Sequence, residues 1–173
     1  MIRTKKLLNF VGTLAMALLL IAAPASADSL VAPSGKILLT VTGAITQTNA
    51  NDAAEFDFEM LQKIGVSTID TTTAWTQGKK TFEGVSLKAL ADTVGATGAV
   101  AEVVALNDYK VDIPTKDFAD YPVILAYQMD GERLKIRDKG PLWVVYPEDE
   151  HPELKNKETQ AKWVWQVKAI HFK

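Results

Sequence analysis

The chain has no cysteine among its 173 residues and only two histidines. Absence of a thiol excludes disulfides, a thiolate nucleophile and a soft sulfur ligand for a metal, so the fold is held by packing alone. His151 and His171 have no partners at triad spacing and no G-x-S-x-G elbow is present, so hydrolytic catalysis is not indicated. No glycine-rich loop opens a helix, which removes the two common nucleotide-binding folds. Glu148, Asp149 and Glu150, followed by His151, lack the spacing of a calcium loop. They read as a solvated charge run, and the stretch from Glu148 to Glu158 offers a candidate contact for a basic partner surface.

Positive charge is also in short supply. Residues 1–27 hold three of the 19 basic residues and none of the 21 acidic ones, so residues 28–173 carry 16 basic against 21 acidic residues, a formal net charge of −5. With no basic stripe to neutralise phosphates, nucleic acid is not an expected partner. Residues 1–27 have the layout of an export signal: Arg3, Lys5 and Lys6, an apolar run from Phe10 to Ala23, and Ala25-Ser26-Ala27 as the cleavage site. Cleavage after Ala27 is expected to release residues 28–173 into the periplasm as one domain. No later apolar run reaches the roughly 18 residues of a membrane helix.

What is present is mostly strand. β-branched and alternating composition marks Lys36 to Gly43, Val66 to Thr73, Val100 to Leu106 and Tyr109 to Ile113, the last two joined by a tight Asn107-Asp108 turn. Phe56 and Phe58 begin a short strand that runs into a short helix stopped at Gly65. The clearest helix lies within Phe82 to Ala96, capped by Ser86, with Leu87, Leu90 and Val94 at helical spacing and Gly95 to end it. Thr115 is placed to cap a helical turn through Phe118, and Val123 to Met129 reads as a buried strand that reverses at Asp130-Gly131. A terminal strand from Lys162 to Phe172 sets Trp163, Trp165 and Val167 on one face. The sum is an α+β domain of mostly mixed β-sheet with a few short helices.

Aromatic and polar residues gather at the ends of these strands. Trp75 follows one strand inside "DTTTAWTQG", Asn107, Asp108 and Tyr109 form a turn, and Lys139 leads into "GPLWVVYP" with Trp143. Tryptophan stacks well on a planar heterocycle, Asp or Asn can accept the ring's N–H groups, and a lysine can meet an anionic edge. Each also has a structural reading: Trp143 and Trp165 as core, Asn107-Asp108 as turn chemistry, Lys139 as surface.

Taken in order, "F-x-G-V-S-L-x-x-L" at Phe82 to Leu90, "N-D-Y-K-V-x-I-P" at Asn107 to Pro114, "I-L-A-Y-Q-M-D-G-E-R-L" at Ile124 to Leu134, "D-K-G-P-L-W-V-V-Y-P" at Asp138 to Pro147 and "K-W-V-W-Q-V-K-A-I" at Lys162 to Ile170 resemble the molybdopterin-binding domain of the sulfite oxidase family. The resemblance implies that family's sheet-rich α+β fold, with a pterin held in a cleft of strand ends and loops. Metal-holding members present a cysteine after the strand that precedes the "F-x-G-V-x-L" helix; here Thr71, Thr72 and Thr73 arrive there, followed by Trp75. Those members also tend to carry arginine where this chain has Trp143.

The chain is similar to a small exported subset that lacks the cysteine. That similarity implies a pterin-binding protein without metal that reports reduced pterins to the periplasmic domain of a membrane sensor, an enzyme of cyclic di-GMP turnover. The pterin-contacting residues it implies are Thr71, Thr72, Thr73, Trp75, Asn107, Asp108, Tyr109, Lys139 and Trp143, with no catalytic residue and no metal ligand. The alternatives are a molybdopterin-dependent oxidoreductase with an atypical or missing protein ligand to molybdenum, and an interaction module that kept the fold and lost its ligands.

Overall fold

Strand β1 (Leu39–Gly43) buries alternate residues, Leu39 and Val41, as its β-branched pattern dictates. It pairs antiparallel with β2 (Ala53–Phe56) and parallel with the C-terminal strand, so the two ends of the domain lie side by side. The computed structural model describes residues 30–173, and the expected export signal lies outside the described residues. The chain continues through α1 (Phe58–Ile64), β3 (Ser67–Thr71), β4 (Lys80–Ser86), α2 (Leu87–Thr93), β5 (Val100–Ala105) and β6 (Lys110–Pro114). It then forms α3 (Thr115–Asp120), β7 (Ile124–Met129), β8 (Glu132–Arg133), β9 (Trp143–Val145), a 3-10 turn at Pro152–Leu154, α4 (Lys157–Ala161) and β10 (Val167–Phe172). One sheet runs β2-β1-β10-β5-β6; the other runs β3-β4-β7-β8, with β9 also paired to β7. The expected α+β architecture, mostly sheet with short helices, is what the structure shows.

One buried cluster spans both sheets, taking Val41, Val103 and Ile170 from the first and Phe82, Leu125 and Val144 from the second. Each such side chain removed from water contributes about 1.5–3 kcal/mol. Helix α2 starts at Ser86, whose hydroxyl accepts from Ala89 N, and the chain leaves it through Gly95 at φ 59°, as its sequence predicts. The reversal after β7 likewise uses Asp130 and Gly131, both at positive φ.

Three local expectations need correction. Strand β4 was not predicted, because its buried residues Phe82, Gly84 and Val85 do not alternate cleanly. A register shift between Glu83 and Gly84 against β7 breaks the period, and Gly84 lies so close to β7 that a Cβ there would sit 2.3 Å from Leu125 O. Thr115 does not cap α3; its hydroxyl donates to Gly98 O at 3.1 Å, and the N-cap position belongs to Pro114. The terminal strand begins at Val167 rather than Lys162, because Gln166 takes φ 54° and breaks the extended run.

Buried Asp57 ties the N-terminal segment to the body. It caps α1 by accepting from Met60 N at 2.9 Å, and its other oxygen accepts from Ser34 N at 2.9 Å and Gly35 N at 2.8 Å. These backbone donors, Met60 foremost, hold its pKa below the ordinary 3.8. Asp57→Ala is expected to lower stability by about 2–3 kcal/mol in urea denaturation at pH 7. A carboxylate with a depressed pKa stabilises above its unfolded value and loses that contribution as pH falls through its folded value, so the gap between the two proteins should start to narrow near pH 3.8 and keep closing below it.

Candidate functional site: a tryptophan-lined cleft

The turn after β3 is built from its threonines. Thr72 donates its backbone N–H to Asp149 Oδ2 at 3.0 Å and its hydroxyl to Asp149 Oδ1 at 2.8 Å. Buried Thr71 accepts from Asp149 N at 3.3 Å and donates to Thr72 O at 3.1 Å. Thr73 Oγ1 accepts from Trp75 N at 3.0 Å and lies 2.8 Å from Thr76 Oγ1. The three hydroxyls are therefore spent on holding a turn, and what the turn presents is Trp75. Lys155, at 2.8 Å from Asp149, and Thr72 hold the Asp149 carboxyl well below the usual carboxylate range.

Trp75 meets the other three tryptophans of the chain. Its ring centroid lies 5.6 Å from Trp163, 5.7 Å from Trp165 and 6.3 Å from Trp143, in tilted or edge-to-face contact. Trp143 is fully buried and packs edge-on against Phe82 at 5.3 Å. It backs the site and does not face it, which corrects the expectation that Trp143 walls a ligand directly. The reason is its place on β9, whose residues Trp143–Val145 are all buried.

Over this cluster opens a cleft of about 340 Å³, lined by Trp75, Trp163, Trp165, Asn107, Tyr109 and Gln160 among others. Asn107 Oδ1 accepts from Tyr109 N at 3.2 Å. Among the described residues, the side-chain amide nitrogen of Asn107, the Tyr109 hydroxyl and the side-chain amide of Gln160 make no protein hydrogen bond. The cleft thus combines aromatic walls with uncommitted donors and acceptors, the composition that suits a flat polar heterocycle. Across Trp75 lies a second groove of about 250 Å³, lined by Trp75, Arg133, Lys135, Asp138 and Lys139 among others. Lys139 Nζ sits 5.1 Å from the Trp165 ring and 5.3 Å from that of Trp143.

Of the expected contacts, Trp75, Asn107 and Tyr109 come together in the cleft, the threonines support them, and Lys139 stands in the adjoining groove. Asp108 is not among the lining residues: at φ 66° its side chain leaves the turn and pairs with Lys168 at 2.6 Å in solvent. Gln160, Trp163 and Trp165 were missed as site residues. The sequence placed both indoles in a strand face, and nothing signalled that α4 would bring Gln160 to the same rim.

The acidic stretch is not a freely solvated run. Glu148, Leu154 and Thr159 are buried, and Asp149 is mostly so. Asp117 anchors both flanks of the stretch, accepting from the Tyr146 hydroxyl before it at 2.9 Å and from Lys162 Nζ after it at 3.0 Å. Glu148 Oε1 and Trp163 Nε1 are buried without aligned partners. Burial pushes the Glu148 pKa up from its ordinary 4.5, and the nearby Trp163 indole offsets only part of that.

The model of the oxidoreductase molybdopterin binding domain matches residues 40–172. The chain belongs to this family. A similar solved structure is the sulfane dehydrogenase SoxCD from Paracoccus pantotrophus, 19% identical, with a TM-score of 0.57. The match covers 78% of this chain and 37% of that one, and at this identity it shows the shared fold. No curated protein matches the chain.

The family's cofactor joins a pterin to molybdenum, and the two parts fit this site unequally. A pterin ring suits the aromatic cleft. For a high-valent metal the donor set is poor: there is no thiolate, and the hydroxyls of Thr71, Thr72 and Thr73 are already engaged. Among the described residues, no group of three or more His, Asp or Glu converges to hold a metal.

Asp149→Ala is expected to cost about 2–3 kcal/mol and to change the tryptophan emission of the folded protein, because it frees the turn carrying Trp75. Glu148→Gln should act oppositely. A carboxyl whose folded pKa is raised destabilises once the pH exceeds its unfolded value, so the variant should melt a few degrees higher at pH 7, with the gain vanishing as the pH falls toward 4.5.

Proposed function

We propose that the protein binds a reduced pterin in the tryptophan-lined cleft, as a ligand without molybdenum. Exported to the periplasm, it relays the presence of that pterin to the periplasmic domain of a membrane signalling enzyme of cyclic di-GMP turnover. The observation that carries the ligand reading is the threonine turn after β3, where the resemblance implies a metal-ligating cysteine: its hydroxyls are already bonded and it presents an aromatic wall. Trp75 stacks on or edges the ring, while Asn107, Tyr109 and Gln160 supply hydrogen bonds to its amide and amino groups. Stacking of a heterocycle on an indole is worth about 1–3 kcal/mol, enough to make Trp75 the main determinant of affinity.

Family membership favours a second reading, a molybdopterin-dependent oxidoreductase without a protein thiolate on the metal. Stoichiometric molybdenum in protein purified from its native compartment would decide for it.

Anaerobic titration with 7,8-dihydroneopterin should quench tryptophan emission, because all four indoles share one cluster. Trp75→Ala should weaken binding roughly tenfold to a hundredfold, and Asn107→Ala by a few fold. Asp108→Ala should leave affinity unchanged. No quenching and no heat of binding under anaerobic conditions would sink the proposal.

A further inference from the structure

Away from the cleft, the outer face of the first sheet carries a hollow of about 280 Å³ with apolar walls and charges of one sign. Near its floor are Thr40 and Ala169, register partners across β1 and β10; each alternates with a buried neighbour, Val41 and Ile170, and so faces away from the core. Ile37, Leu106 and Ile136 stand around it, three of the seven large hydrophobic side chains left exposed among the described residues. Their gathering at one concavity marks an interaction site, which singly scattered apolar residues do not. Lys36 and Lys168 also line the hollow, and no acidic residue does. Among the described residues Lys36 forms no ion pair, while Lys168 bonds Asp108 at 2.6 Å, a carboxylate itself 80% exposed. Gln166 ties the hollow to the cleft. It follows Trp165, a lining residue of the cleft, and at φ 54° it turns three polar groups onto its surroundings. Its carbonyl accepts from Leu106 N at 2.9 Å, its side-chain amide donates to Ile136 O at 2.6 Å, and its N–H donates to Lys139 O at 3.0 Å.

Resting on the reading of the chain as a relay, we infer that this hollow is the docking site of its protein partner, and that the partner presents an acidic segment carrying one large apolar side chain. That side chain fills the concavity between Ile37, Leu106 and Ile136, and carboxylates beside it meet Lys36 and Lys168. Positive charge here stands against a net charge of −5 over residues 28–173, so an acidic segment is drawn to this face and repelled by the chain as a whole. A second copy fits poorly: two such chains repel, and a two-fold contact would set the lysines of one hollow against those of the other. An anionic bilayer fits poorly as well, because two lysines are too few to hold a chain there and a concavity receives a side chain where a membrane needs one to project. A pterin seated in the cleft fixes Trp165, and through the bonds of Gln166 it fixes Leu106 and Ile136. Occupancy of the cleft thus alters the hollow with no contact between ligand and partner.

The test places a photoreactive benzophenone side chain at position 37 or 136 of the full chain in its native host, with the exposed position 66 before β3 as control, and maps the adducts by peptide mass spectrometry. Illumination should join positions 37 and 136, but not 66, to an acidic segment in the periplasmic domain of a cyclic di-GMP enzyme. Lys36→Glu/Lys168→Glu should cut that yield about tenfold and leave the affinity of the purified protein for 7,8-dihydroneopterin unchanged, which shows the fold intact. The yield should also change when dihydroneopterin is supplied. Gln166→Asn, which suits the positive φ but shortens the amide by one methylene, should remove that response. An acidic segment of a protein of another class, captured at 37 and 136 alone, keeps the hollow and overturns the relay reading. Capture of the cyclic di-GMP enzyme at 66 alone keeps the relay and overturns the hollow. Adducts with a second copy of this chain, with lipid or with a segment lacking acidic residues overturn the inference, as does a yield indifferent to the lysine reversal or to the pterin, or no adduct at all.

Discussion

Packing of four indoles from three separate stretches of chain is the constraint on which the site depends. Trp75 follows β3, Trp143 lies on β9, and Trp163 and Trp165 precede β10, yet their centroids fall within 5.6 to 6.3 Å of one another where they pair. Each aromatic pair adds about 0.5–1.5 kcal/mol beyond its buried area. Backbone bonds reinforce the arrangement: Val144 N donates to Val164 O and Val167 N to Leu142 O, each at 2.9 Å. Through this seam the β9 edge of one sheet is joined to the strand that begins the centre of the other. The cleft exists because the indoles meet mainly by edges and tilted faces, so that Trp75, Trp163 and Trp165 also contribute to its lining.

Carboxylates decide how firmly that cluster is mounted. Asp57 and Asp149 are each surrounded by backbone, hydroxyl or ammonium donors, and both keep their charge to low pH. Glu148, one residue from Asp149, has the opposite setting: its Oε1 is buried beside an indole, without a partner, and it holds its proton more tightly than an ordinary glutamate. Neighbours in sequence thus serve opposite electrostatic ends. Side chains of adjacent loop residues diverge, and here one points to the threonine turn while the other points under Trp163.

Much of the fold was legible from local rules. Ser86 and Gly95 bracket α2, Asp130-Gly131 turns the chain after β7, and alternation locates β1, β5 and β6, because each depends on residues within one turn or one strand. The misses share a cause. Strand β4 carries a bulge that destroys its period, Gln166 adopts a left-handed backbone that no propensity predicts, and the acidic stretch packs because Thr72 and Asp117 wait for it from elsewhere. In the site, Trp75, Asn107 and Tyr109 were found from residue type at strand ends, while Gln160 and Trp165 were not, since their proximity is a product of tertiary folding.

By itself the sequence determined the class of fold, the family motifs and the absence of a thiolate, since these depend on residue identity, order and local periodicity. Only the tertiary structure decided that Trp143 lies beneath the cleft, that the threonine hydroxyls are spent on Asp149 and on their own turn, and that Asp108 faces solvent with Lys168. Those outcomes turn on which distant groups arrive within hydrogen-bonding or packing distance, and long-range proximity is set by how the sheets close upon one another.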